Sequence, residues 1–292
     1  MDDELRMKLA DVGSPEALAA CITTHYPEIE VPVPLARIAA AVGIVEIIGR
    51  KTDSFEGMLI TSSAKSTGSI IYNEASRPER RRFTIAHELG HFLMPLHGAN
   101  AQCAKADMGV VTTSDPNRAR EAEANRFAAS LLMPRGLFLQ HIRSLGAPEI
   151  EHVVKLAGDY EVSKEAAVRR YIDLCDDPLA VIFSQNGVAG RIYRTTNFPF
   201  ISIQKGQPLP RQCASAHENH VPGQVSDCSE TMPELWLADT RRLRGVALYE
   251  QFLDQANGYR MTMLTVDGAL NDDDDPDEEE DLEERWTPRF HR

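Results

Sequence analysis

The sequence predicts an α+β protein on three observations. Helical apolar spacing dominates up to about residue 177, and three short β-branched runs interrupt it between Ile44 and Tyr72. Beyond Asp176-Asp177-Pro178, strand-like runs flank two Asn-Gly pairs, which favour β-hairpins because both residues tolerate positive φ.

Ser14-Pro15-Glu16 opens the first helix: a capping hydroxyl, a proline at the first helical position and an acidic residue precede Leu18, Cys21 and Ile22. Leu35, Ile38, Ala39 and Val42 fall at i, i+3, i+4 and i+7, so a second helix buries one face, and Gly43 supplies its left-handed cap. Ile44 to Ile48, Met58 to Thr61 and Ile70 to Tyr72 are the expected strands of a small sheet. The chain turns helical from about Arg77 and is stopped by Pro95 and Gly98. Residues 99–117 lack periodicity and are expected to form a loop, followed by a helix from about Arg118 to Met133 that Pro134 ends. Leu137 to Leu174 is helical in pattern. Leu179 to Phe183 and Val188 to Tyr193 flank Asn186-Gly187, and Val246 to Leu253 and Tyr259 to Val266 flank Asn257-Gly258 in the same way. The expected domains are 1–136, with helices and the small sheet; 137–177, helical; 178–268, α+β; and an acidic tail, 269–292, that contains Trp286 and Phe290.

With 42% hydrophobic and 26% charged residues, the chain has the composition of an ordinary globular protein. Its formal charge of −13 owes 11 negative charges to the run from Asp272 to Glu284, which leaves the body near −2. A broad basic face for duplex DNA is not indicated, because neutralising phosphates needs clustered Lys and Arg. Five scattered cysteines and an acidic N-terminus without an apolar segment suggest reduced thiols and a cytoplasmic protein with no membrane span.

The segment that carries chemistry is Phe83-Thr-Ile-Ala-His87-Glu88-Leu-Gly-His91. On a helix, residues four apart lie one above the other, so the imidazoles of His87 and His91 can converge on one tetrahedral cation. Glu88 flanks that position without occupying it, and is placed to take a proton from water there and pass it to a leaving amine. Such a trio can arise by chance, but Ala86 and Gly90 admit a close neighbouring backbone while Phe83, Leu89 and Leu93 anchor the helix. A third ligand is sought in Glu121-Ala-Glu123-Ala-Asn125-Arg-Phe127-Ala128. There Glu121, Ala124, Asn125 and Ala128 share a helical face, so Glu121 is the expected ligand and Asn125 the group that hydrogen-bonds a ligating histidine. Glu123, on another face, is expected to meet solvent or Arg126.

Taken together, Arg-Arg-Phe-Thr-Ile-Ala-His-Glu-Leu-Gly-His, then Glu-x-x-Ala-Asn-x-Phe-Ala and Leu-Leu-Met-Pro some 30 residues on, resemble the ImmA/IrrE family of zinc metallopeptidases over roughly residues 15 to 175. The resemblance implies a zincin-like, thermolysin-like core in which His87, His91 and Glu121 hold Zn2+ (or Mn2+) and Glu88 is the base. It implies a protein substrate, a helix-turn-helix transcriptional repressor whose cleavage relieves repression in a stress or mobile-element response. It also implies a sensor domain of GAF type at the C-terminus. A non-catalytic regulator that holds a repressor or antitoxin, or a toxin-antitoxin component, is the alternative.

Leu156-Ala157, Val162-Ser163 and Ala167 to Arg170 are similar to a helix-turn-helix with Glu161 where glycine is usual. Residues 151–173 hold five acidic and four basic side chains, which argues against direct DNA reading and for a packing or repressor-docking role. Cys213, His217, His220 and Cys228 are a weak second zinc candidate that lacks a Cys-x-x-Cys knuckle. His97 is expected to cap carbonyls or face solvent, and Tyr72 and His152 are candidate oxyanion donors that sequence cannot place.

Overall fold

The computed structural model describes residues 1–97, 102–103, 116–217, 221–243, 245–268 and 270. Most of the expected loop 99–117, His220 and the acidic tail with Trp286 and Phe290 lie outside the described residues. The chain is α+β and divides into two compact units, Met1–Phe138 with Gly158–Ser163, and Leu139–Ala157 with Lys164–Pro276.

The first unit opens with a helix that the sequence reading did not expect, α1 (Asp3–Ala10). The Asp2 side chain accepts from Leu5 N and caps it, and Leu5 and Leu9 are its buried residues. Helix α2 (Pro15–His25) starts on the Ser14 hydroxyl, which accepts from Ala17 N. Helix α3 (Leu35–Val42) buries Leu35, Ile38, Ala39 and Val42 and ends at Gly43 with φ 114°. A Cβ at Gly43 would stand 2.9 Å from Ser66 O, so both the backbone conformation and the space call for glycine.

Strands β1 (Ile44–Arg50), β2 (Gly57–Thr61) and β3 (Gly68–Asn73) form a sheet in the order β1-β3-β2-β4, with β1 parallel to β3 and β2 antiparallel to it. The two-residue β4 (Gln102–Cys103) pairs with Gly57 and Met58, so the expected loop is not wholly irregular: those backbone groups of β2 take up pairing partners from it. Helices α4 (Pro78–Leu93) and α5 (Pro116–Leu132) pack on each other, and α5 also packs on α2. The interior gathers Leu18, Ile22, Leu59, Ile70, Leu89, Phe127 and Leu131, all at most 1% exposed. Each such side chain contributes roughly 1.5–3 kcal/mol of burial, so this interior is what holds α4 and α5 in place.

Helices α6 (Arg135–Leu145), α7 (Ile150–Asp159) and α8 (Lys164–Leu174) follow, and the boundary between the units falls within α6 and α7. The bend after α7 puts Glu161 at φ 50°, the left-handed conformation, although it is not glycine. Its carboxylate lies 3.3 Å from Arg82 Nε on α4. Close by, Tyr160 packs against Phe138 with ring centroids 4.9 Å apart and the rings tilted.

The second unit is built on a five-stranded antiparallel sheet, β6-β5-β9-β8-β7, from β5 (Leu179–Gln185), β6 (Val188–Arg194), β7 (Ser229–Thr231), β8 (Ala247–Asp254) and β9 (Tyr259–Asp267). Asn186 and Gly187, both at positive φ, join β5 to β6 as the sequence indicates. The β8–β9 connection is longer than a two-residue turn. Asp254 pairs with Arg260, and Gln255 and Ala256 enter the loop with Asn257 and Gly258. Ile182, Phe198, Trp236, Leu248 and Leu264 form the core. The buried Arg260 pairs with Asp254 through Nε at 2.5 Å and Nη2 at 2.8 Å, and its guanidinium lies over Phe252.

Candidate metal centre

Helix α4 begins with Pro78 at its first turn and runs for 16 residues, long enough to carry both histidines with more than a turn to spare on the N-terminal side. His87, Glu88 and His91 are at most 2% exposed. Gly90 is needed for close packing, although the group that approaches is a ring and not a backbone: a Cβ there would stand 2.9 Å from Phe127 Cδ1. Phe127, fully buried on α5, thereby sets the distance between the two helices.

At that distance Glu121 of α5 meets both imidazoles. Its Oε2 is 3.1 Å from His87 Nε2, its Oε1 is 3.4 Å from His91 Nε2, and the two Nε2 atoms are 3.0 Å apart. Among the described residues, these three form the group of metal-capable donors, with ligand atoms all within 4.8 Å of one another. Asn125, one turn along α5, places Oδ1 3.0 Å from His87 Nδ1. An amide oxygen only accepts, so His87 carries its proton on Nδ1 and turns a bare Nε2 toward Glu121 and His91. Two imidazole nitrogens and a carboxylate gathered so closely are mutually repulsive groups unless a cation lies among them, and the set is one that zinc takes.

Electrostatics agree with that fit. Burial works to raise the Glu121 carboxyl, yet the neighbouring His87 and His91 outweigh this and hold it at about 2. Burial lowers His91, opposed by Glu121, so the imidazole is biased to the neutral form that ligates.

Two residues stand elsewhere than expected. His97, expected near a helix end to cap carbonyls or face solvent, is 2% exposed, because a turn with His97 N on Met94 O folds it back against the helix. Its Nδ1 is 2.9 Å from His91 Nδ1, and its Nε2 is 2.9 Å from Glu123 Oε2. Glu123 therefore faces His97, while Arg126, its other expected partner, pairs with Glu16 of α2. No sequence periodicity announces His97, which lies beyond the helix; only its closeness to Pro95 hints at a chain reversal. Lys65 was missed as well: its ammonium donates to His91 O at 2.7 Å and Met94 O at 2.8 Å and caps α4. Burial, with a smaller push from Arg120, lowers its pKa to about 8.

Of the weaker candidates, Tyr72 has its hydroxyl over Gly49 of β1, and His152 lies beside Glu149, the residue just before its helix. Cys213 is buried with Sγ 3.3 Å from Ser215 Oγ and Cys228 is exposed, while His220 is outside the described residues. Among the described residues, no helix is long and apolar enough to cross a membrane.

A helix-borne His-Glu-x-x-His pair faced by a carboxylate from a second helix, in an α+β unit, is the site pattern of metallopeptidases. The comparisons give the particular family. Residues 49–171 match the peptidase M78 model, described as the IrrE N-terminal-like domain. The radiation response metalloprotease IrrE of Deinococcus radiodurans is 31% identical over 124 residues, which cover 39% of this chain and 33% of that protein. Residues 49–171 are thus similar to the IrrE N-terminal-like peptidase domain, and the match spans about a third of the curated relative's length. A solved structure of a Mycobacterium tuberculosis transcriptional regulator shares the fold, with a TM-score of 0.52 at 14% identity over 90% of this chain and 80% of that one.

Proposed function

We infer that the chain is a zinc-dependent endopeptidase with a zincin-like core over about residues 1–136, in which His87, His91 and Glu121 hold the metal and Glu88 is the general base. The observation that carries this reading is the convergence of three donors, from two helices, within 4.8 Å. When bound, a zinc ion supplies Lewis-acid chemistry, acidifying water and polarising a carbonyl. Glu88, buried on the helix that carries both histidines, takes the proton of the attacking water and returns it to the departing amine. Asn125 holds His87 in the tautomer that ligates.

The substrate under this reading is a partner protein, in keeping with the Deinococcus relative being a metalloprotease, and by the family likeness that partner is a helix-turn-helix repressor. The helical segment 137–177 serves substrate docking rather than DNA reading, and residues 178–268 act as a sensor-like, GAF-type unit. The experiment is to incubate the purified chain with the helix-turn-helix repressor encoded beside it, with and without chelator, and to repeat it with Glu88→Gln. Cleavage that stops in the variant while one equivalent of metal stays bound supports the assignment. Cleavage by the variant at the wild-type rate removes Glu88 from its role.

A further inference from the structure

We propose that His97 and Glu123 are positioning residues for the metal ligand His91, forming a carboxylate-imidazole-imidazole relay that fixes the tautomer of His91. This rests on the metal-site reading above and adds to it two residues that touch no proposed ligand atom.

Proton placement decides the roles of the two rings. His91 Nδ1 and His97 Nδ1 are 2.9 Å apart, and such a contact is a hydrogen bond only when one of the two nitrogens carries a proton. His91 turns Nε2 toward His87 and Glu121, so a ligating His91 must carry its proton on Nδ1 and donate it outward. His97 Nδ1 must then be the bare acceptor, which leaves the His97 proton on Nε2. There Glu123 Oε2 receives it at 2.9 Å, and a carboxylate, having only acceptors, selects that tautomer. Each link in the chain determines the next, from Glu123 inward to the metal side of His91.

Helix geometry explains why a spacer is needed. Residues two apart on a helix point to nearly opposite sides, so α5 cannot bring both Glu121 and Glu123 against the same imidazole. Glu121 reaches His91 Nε2 directly, and Glu123 reaches the far side of the same ring only through His97. His91 is thus held at both nitrogens by carboxylates of one helix. The spacer is well fixed: His97 is 2% exposed, its ring centroid is 4.8 Å from that of His91, and Lys65 ties down the His91 and Met94 carbonyls that lead into its turn. The two ligating histidines consequently differ. His87 leans on a neutral amide, Asn125, whereas His91 leans on a relay that ends in a carboxylate, which makes it the more strongly donating ligand.

The test is metal affinity by competition with a chromogenic chelator, together with long-range nitrogen-proton NMR of the histidine rings. His97→Ala is expected to weaken zinc binding by roughly 10–100-fold, the usual effect of losing an outer-shell partner. His97→Asn sets an amide oxygen where Nδ1 stood and is expected to stay within a few-fold of wild type, which separates loss of the acceptor from loss of the fold. Glu123→Leu should weaken binding in the wild-type background and leave it unchanged in His97→Asn, since the amide has no tautomer to select. The NMR spectrum should show the His97 proton on Nε2. A wild-type chain that takes up no metal overturns the metal reading and this one with it. A wild type that binds one equivalent while His97→Ala binds equally well, or a His97 proton found on Nδ1, overturns the relay alone.

Discussion

The carboxylate of Glu88 lies against the bare α-carbon of Gly57: a Cβ at residue 57 would stand 2.3 Å from Glu88 Oε1 and 2.6 Å from Thr84 Cγ2. The strand β2 thus approaches the motif helix so closely that a Cβ there would displace the Glu88 or Thr84 side chain, and the position of the carboxylate depends on a residue thirty-one places earlier in the chain.

Gly57→Ala should therefore push Glu88 aside without touching the three metal donors. The expected outcome is a fall in the rate of cleavage of about 100-fold, the scale of a displacement near 1 Å, with metal content unchanged. Parallel measurement of kcat and bound zinc checks it, and loss of metal along with activity would show that the helix itself had moved.

Metal removal should destabilise the first unit. With free metal about 100 times above Kd, its binding adds roughly 2.7 kcal/mol to stability, so a chelator should lower the unfolding temperature and added zinc restore it. Glu121→Ala should abolish that shift, as read by calorimetry with and without chelator.

Phe127→Ala should cost about 3–5 kcal/mol, because the ring is fully buried and leaves a cavity against Gly90. Since that ring spaces α4 from α5, zinc affinity should fall as well. A denaturant titration gives the first quantity and chelator competition the second.

In the second unit, Asp254→Ala leaves the buried Arg260 guanidinium without its carboxylate partner. Breaking such a pair costs roughly 3–5 kcal/mol, and chemical denaturation of the whole chain would register it. Cleavage-site chemistry should be untouched, which kcat on the surviving folded protein tests.

The acid limb of stability has a local contributor in Asp2. The Leu5 backbone N–H, then His25, hold its carboxyl at about 2 against an ordinary value of 3.8. A carboxyl lowered in the folded state stabilises above the ordinary value and loses that effect as pH falls toward 2. Asp2→Asn should keep the cap yet flatten this part of the profile. Denaturation midpoints of the two proteins, compared between pH 5 and pH 2, should converge as the pH falls.

What was legible in the sequence was local. The spacing of His87 and His91 and the shared face of Glu121, Ala124, Asn125 and Ala128 follow from helix periodicity, and Asn186-Gly187 names its own turn. What was hidden depended on chain reversals and distant neighbours. His97 reaches His91 through a turn after Pro95, Gly57 meets Glu88 across a sheet-helix contact, and Lys65 reaches forward to a helix end. Helix α1 escaped because it buries only two leucines and its cap is an aspartate in an acidic run that reads equally well as solvated chain.

The hold of Lys65 on the final turn of α4 has a bearing on any attempt to transplant the motif. A graft of α4 and α5 alone would carry every donor named above and lack the clasp that closes the helix end, supplied by a bend before the third strand. The five-letter signature is not a portable cassette, and a working copy would have to bring its preceding β-ribbon along.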